Sequence, residues 1–256
     1  MVAVVVKGQR CNLVGRNWFK PLGINLDGIY QLNLSPLHQL VDEYADLFSR
    51  KIIAVKTPPV TLHVDGSVPP IQMSARRVPF ALKDRISQEI DRLVEQDILD
   101  PVQHAEWTTP IVPTIKGDGS VSICGDYKCT VSKALQKDLY QIPVVNDVLS
   151  MLKKGKIFAK LDLAQAYQQL PVDEASAKLQ TIITHKGAFK PTKLQFGIAS
   201  APGIFQRFMD TVFANLKWVV PYFDDVLIVA ESTMELLEVL NEVSNRLHRI
   251  GMRLKR

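Results

Sequence analysis

Residues 218–230 form an apolar run broken by two adjacent carboxylates, Trp218-Val-Val-Pro-Tyr-Phe-Asp-Asp-Val-Leu-Ile-Val-Ala230. Burying such a pair without compensation costs several kcal/mol, so it must lie at a turn or face a cation. Asp accepts turn conformations that Val and Ile resist, which suits Asp224-Asp225 to the tip of a tight hairpin between two apolar strands. Two carboxylates held there offer hard oxygen ligands to Mg²⁺ or Mn²⁺. Taken alone, the pair reads more simply as a solvated Asp-Asp turn without a metal.

A third carboxylate shifts the balance. In Lys156-Ile-Phe-Ala-Lys-Leu-Asp-Leu163, Asp162 ends another apolar, strand-like run, with helix-compatible residues after it. By itself Asp162 reads as a cap for the following turn. Together with Asp224 and Asp225 it completes an oxygen set able to hold two divalent ions. Two such ions can bind a triphosphate, activate an attacking 3′-hydroxyl and stabilise a leaving pyrophosphate.

Further motifs stand in a recognisable order. They are Leu161-Asp-Leu-Ala-Gln-Ala-Tyr-Gln-Gln169, Thr184-His-Lys-Gly187, Phe196-Gly-Ile-Ala-Ser-Ala-Pro-Gly-Ile-Phe-Gln206 and Tyr222-Phe-Asp-Asp225. Glu106-Trp-Thr-Thr-Pro110 and Ile123-Cys-Gly-Asp-Tyr-Lys128 precede them. Over roughly residues 60–256 the chain resembles the reverse transcriptases of gypsy-type LTR retrotransposon polyproteins. The resemblance implies a mixed α/β (α+β) fold, the fingers and palm of a right-hand polymerase, with an antiparallel palm sheet, packed helices and no thumb. It implies an RNA-directed DNA polymerase that extends a DNA primer by two-metal nucleotidyl transfer. Mg²⁺ or Mn²⁺ would be held by Asp162, Asp224 and Asp225, and the partners would be an RNA or DNA template, a DNA primer and deoxynucleoside triphosphates. The competing reading is a catalytically inactive, truncated retroelement remnant with at most weak nucleic-acid binding.

The resemblance also assigns nucleotide-binding residues. Lys116, in a fingers hairpin, would contact the incoming triphosphate, or else is an ordinary solvated lysine. Tyr167 would lie under the sugar and exclude a 2′-hydroxyl. Phe196 and Gly197 would line the nucleotide pocket, with Gly197 allowing close backbone approach. Gln206 lies in the same motif as a support for its helix, and Trp107 packs either on template backbone or in the fingers core. Four positions depart from the family pattern: Ser122 for arginine, Gln195 for proline, Pro191 for an aromatic residue, and Pro221 just before the acids. Pro221 removes a backbone donor from a strand expected inside the sheet. Together these departures suggest a copy drifting from function.

The remaining sequence fits this outline. A net charge of +5 and a pI near 9.0 suit a polyanionic partner. Cys11, Cys124 and Cys129 lack CxxC spacing, so reduced thiols without zinc are expected. No apolar stretch approaches the roughly 20 residues of a membrane span, and the start lacks a signal peptide, which points to an intracellular protein. Residues 1–25 open on a buried strand, and 12–23 resemble the end of a retroviral-type aspartic protease, without its catalytic motif. Residues 26–59 read as a linker bearing a short amphipathic helix through Leu37, Leu40, Val41, Tyr44 and Leu47. Residues 60–256 read as fingers and palm, ending before a primer grip and thumb. Within them, a helix from Leu82 is expected to end near Asp100-Pro101, and residues 111–124 to form a hairpin. Ser232-Thr-Met-Glu235 is expected to cap a last helix that Gly251 ends.

Overall fold

The computed structural model describes residues 2–4, 35–49, 55–117, 119–136, 138–153 and 155–255. Cys11 and the protease-like segment 12–23 lie outside the described residues. In chain order the elements are β1 (Val2–Val4), α1 (Ser35–Glu43), α2 (Phe80–Glu95), β2 (Leu99–Val102), β3 (Thr109–Ile115), β4 (Val121–Gly125), α3 (Val145–Leu152) and β5 (Ile157–Asp162). They continue with α4 (Glu174–Leu179), β6 (Ile182–Thr184), β7 (Gly187–Pro191), α5 (Ala201–Val212), β8 (Val219–Tyr222), β9 (Asp225–Ala230) and α6 (Thr233–Ile250). They fall into two compact units interleaved in sequence. One takes residues 1–50, 141–164 and 206–256, and the other 51–140 and 165–205.

The first unit is built on a sheet of order β1-β5-β9-β8. Strands β5, β9 and β8 pair antiparallel, and β1 adds in parallel beside β5. The two apolar runs that end in aspartates thus become neighbours, with Val226, Ile228, Val229 and Ala230 buried. Helix α6 packs on β5 and β9, burying Leu236, Leu240, Val243 and Leu247. Ser232 caps it as the sequence predicts, its Oγ accepting the Glu235 N–H at 3.2 Å, while Glu235 Oε2 reaches one residue further back than a capping box does, to the Glu231 N–H at 2.7 Å. Gly251, at φ 81°, ends it. The segment read as a linker contributes to this core. After α1, a 3₁₀ turn buries Leu47, whose carbonyl accepts the Leu254 N–H at 2.7 Å, and the Tyr44 hydroxyl donates to Asn241 at 2.9 Å.

Pro221 lies on an edge strand rather than inside the sheet, a correction to the sequence reading. Antiparallel ladders alternate hydrogen-bonded and non-bonded pairs. Val229 N–H donates to Trp218 O at 2.9 Å, which fixes Trp218–Val229, Val220–Leu227 and Tyr222–Asp225 as the bonded pairs. Pro221 opposite Val226 falls between two of them, so its missing donor costs no ladder bond.

The second unit holds a sheet of order β2-β7-β6-β3-β4, with β3 parallel to β6 and the other pairs antiparallel. Helix α2 buries Ile86, Ile90 and Leu93 and packs against β2 and β4. It stops at Glu95, and Asp100 and Pro101 lie inside β2 instead of terminating the helix. Asp97, at φ 55°, turns the chain early, and as an edge strand β2 accepts a proline. The β3–β4 hairpin forms as predicted. Among the described residues no helix is long and apolar enough to cross a membrane.

Candidate active site

Strands β8 and β9 are joined by a two-residue turn, Phe223-Asp224, closed by the pair Tyr222–Asp225. The left-handed position is taken by Phe223, at φ 51°, and not by an aspartate as the sequence suggested. For an L-residue with a Cβ this conformation costs about 1–2 kcal/mol. Gln206 on α5, buried in the core, offsets it. Its Nε2 donates to Pro221 O at 2.8 Å and its Oε1 accepts the Phe223 N–H at 3.3 Å. The side chain read as a helix support therefore grips the outer edge of the hairpin tip.

The β5–β9 register places Asp162 directly opposite Asp225. The Leu163 N–H donates to Asp224 O at 2.8 Å, so Asp162–Asp225 is a non-bonded pair, in which facing side chains approach most closely. Like charges face each other here, and two lysines answer them. Lys160 Nζ lies 2.9 Å from Asp225 Oδ1, and Lys255 Nζ lies 3.2 Å from Asp162 Oδ2. Asp224 receives neither contact, and its Oδ1 is buried without a hydrogen-bond partner. Burial, then the charges of Asp225 and Asp162, push the Asp224 carboxyl above the ordinary aspartate range. Burial also raises Asp225, outweighing the hydrogen bond from Lys160.

Hard oxygen donors, an orphaned buried carboxylate oxygen and mutual repulsion are the chemistry that a divalent cation relieves. The spacing is more open. As the side chains stand, no three His, Cys, Asp or Glu residues among the described ones are gathered closely enough to hold a metal ion. The three acids are brought to one end of the sheet, where Asp162 and Asp225, but not Asp224, meet ammonium groups.

In the second unit, Tyr167 sits in a 3₁₀ turn, Ala166–Gln169, entered through Gln165 at φ 48°. Its nearly buried ring meets Phe196 edge-on at 4.9 Å and Phe205 at 5.2 Å. Gly197 has φ 88°, and a Cβ there would lie 3.0 Å from Gly125 O and 3.1 Å from Cys124 Sγ. The close approach that Gly197 permits is thus one made by its own unit. Cys124 Sγ donates to Phe196 O at 3.1 Å. Lys116 is exposed at the end of the β3–β4 hairpin, and Trp107 is a core residue. Cys124 and Cys129 are free thiols.

The departures fare differently. Gln195 is buried, and its N–H donates to Gln180 Oε1 at 2.9 Å, a bond no proline could make. Pro191 ends β7 where only β2 pairs with it. Ser122 faces Thr114 across the hairpin, and the Arg85 guanidinium lies beside the hairpin's turn, 3.9 Å from where a Cβ on Gly119 would stand. Sequence reasoning missed the two lysines and the buried glutamines. Lys160 was findable, since it lies two residues before Asp162 and so shares its sheet face. Lys255 carried no such signal.

The profile of the reverse transcriptase (RNA-dependent DNA polymerase) family matches residues 97–256. An uncharacterised Caenorhabditis elegans protein is 30% identical over 98% of this chain and 21% of its own length. The retrovirus-related Pol polyprotein from transposon 412 of Drosophila melanogaster is 25% identical over 88% of the chain and 19% of its own length. The chain therefore spans about a fifth of these relatives. Among solved structures, a foamy viral protease–reverse transcriptase in complex with RNA/DNA hybrid superposes with a TM-score of 0.80 at 24% identity. That match covers 88% of this chain and 31% of the viral one. A second structure of that viral enzyme, with double-stranded DNA, gives a TM-score of 0.80 over 97% and 44% of the two chains.

Proposed function

This chain belongs to the reverse transcriptase family, and from that premise we propose that it carries the nucleotidyl-transfer site of an RNA-directed DNA polymerase within a retrotransposon polyprotein. Residues 60–256 are read as fingers and palm. The observation that carries the reading is the end of the β5–β9 strand pair, where Asp162 faces Asp225 and Asp224 keeps an unpartnered buried oxygen. Carboxylates are otherwise left in that state only at a cost.

Asp162, Asp224 and Asp225 would hold two Mg²⁺ or Mn²⁺ ions. Bound there, the ions supply charge neutralisation for a triphosphate and polarisation of a primer 3′-hydroxyl. The chain's own residues do the rest. Gln206 fixes the turn that presents Asp224, and Lys160 and Lys255 hold the outer acids in place. Tyr167, braced by Phe196 and Phe205, presents a ring edge suited to rejecting a ribose 2′-hydroxyl. Lys116 is free to meet triphosphate oxygens. The template would be RNA or DNA.

Primer extension with Mg²⁺ and deoxynucleotides tests the reading, using the chain alone and within its polyprotein. Template-dependent incorporation that vanishes in Asp162→Asn, Asp224→Asn and Asp225→Asn is the expected result. Incorporation in neither form, or retained by the variants, refutes it and leaves an inactive remnant as the description of the protein.

A further inference from the structure

Four glutamines of the second unit, Gln168, Gln169, Gln180 and Gln195, are buried. Three of them are wired together. Gln168 Nε2 donates to Gln195 Oε1 at 3.1 Å, and Gln195 Nε2 donates to Lys193 O at 3.0 Å. The Gln195 N–H donates to Gln180 Oε1 at 2.9 Å, and Gln180 Nε2 reaches Ser176 O at 3.3 Å. Gln180 also takes the hydroxyl of the fully buried Tyr127 on its backbone carbonyl at 3.0 Å. Tyr127 in turn lies against Gly197, where an added Cβ would meet its Cδ2 at 3.4 Å.

The two residues joined by their carboxamides flank the two rings that meet at 4.9 Å: Gln168 follows Tyr167, and Gln195 precedes Phe196. We infer that the Gln168–Gln195 bond positions the Tyr167 and Phe196 rings, which makes Gln195 a positioning residue for deoxynucleotide selection. The inference rests on the reading of Tyr167 given above. A ring that discriminates by excluding one hydroxyl must be held to a fraction of an ångström, and a carboxamide bond in a dry core supplies a fixed length where apolar packing allows slippage. Gln180 locks the other side, tying the backbone of Gln195 and the ring beneath Gly197 to one residue.

The test is displacement of a fluorescent deoxynucleotide from the full chain by dATP and by ATP, both with Mg²⁺. The variants are Gln195→Met, Gln168→Met and their combination, with melting temperatures recorded in parallel. Each single variant should lower the dATP/ATP affinity ratio about ten-fold, mainly through tighter ATP binding. The double variant should lose no more, because both changes break one bond. A purely structural role would lower melting temperature and leave the ratio alone, and that result overturns the inference. If Gln195→Met does not fold, Gln168→Met decides on the same criterion. Wild-type protein without any preference for dATP would overturn the reading of Tyr167, and the inference with it. A preference kept by the folded variants overturns the inference only.

Discussion

The aspartate hairpin and the glutamine cluster handle buried polar atoms in opposite ways. In the cluster the neutral carboxamides of Gln168, Gln180 and Gln195 find partners within the core, which is how polar groups are kept at little cost. At the hairpin, Asp224 keeps an orphaned oxygen, two carboxylates are pushed toward their protonated forms, and an aromatic residue sits at a positive φ. The first arrangement is what packing selects. The second is strained for stability and makes sense only if something outside the chain repays it.

That contrast predicts opposite outcomes for conservative substitutions. Asp224→Asn should cut primer extension by about three powers of ten, since the charge proposed to hold an ion is gone. The same change should raise the melting temperature, because it removes a buried charge repelled by two neighbours. A matching loss of stability and activity would mean that Asp224 is a structural residue, and the contrast would fail.

Gln206 lies on the hairpin side yet behaves like the cluster. Gln206→Leu would strand the Pro221 carbonyl and the Phe223 N–H, costing about 2–3 kcal/mol in urea unfolding. A loss under about 0.5 kcal/mol would show that the turn stands without its clamp.

The smallest expected effect is a pH dependence. Asp224 and Asp225 both have raised pKa values in the folded protein, so the folded state binds protons more tightly than the unfolded chain. Stability should therefore fall as pH rises from the ordinary aspartate range through the raised values, then level off. In Asp224→Asn the slope should flatten. Stability that instead climbs across this window would mean the acids are better compensated than their surroundings indicate.

The parts legible in sequence were those written in local pattern. The acid hairpin, the β3–β4 hairpin, the cap at Ser232 and the stop at Gly251 each follow from a few adjacent residues, and the folded chain keeps them. The helix predicted to reach Asp100-Pro101 stopped early, because Ile98 continues the apolar spacing although the chain has already turned at Asp97. Pro221 looked like damage because strand order is not readable from one strand. Once β8 is an edge, its proline is harmless. Gln195 looked like drift for a related reason, since its partners Gln168 and Gln180 are 27 and 15 residues away. Three of the four departures, Pro191, Gln195 and Pro221, therefore count as accommodated features, and only Ser122 has no structural explanation.

On the reading proposed above, the strained hairpin exists to meet divalent cations. Thermal unfolding of the full chain with Mn²⁺ and with Mg²⁺ decides this, measured beside Asp162→Asn, Asp224→Asn and Asp225→Asn. A cation bound at 100 times its dissociation constant adds about 2.7 kcal/mol. The wild-type protein should gain several degrees in melting temperature, and each variant should gain less, with Asp224→Asn starting from the higher metal-free value. Equal gains in wild type and all three variants would place the cations elsewhere and contradict the account.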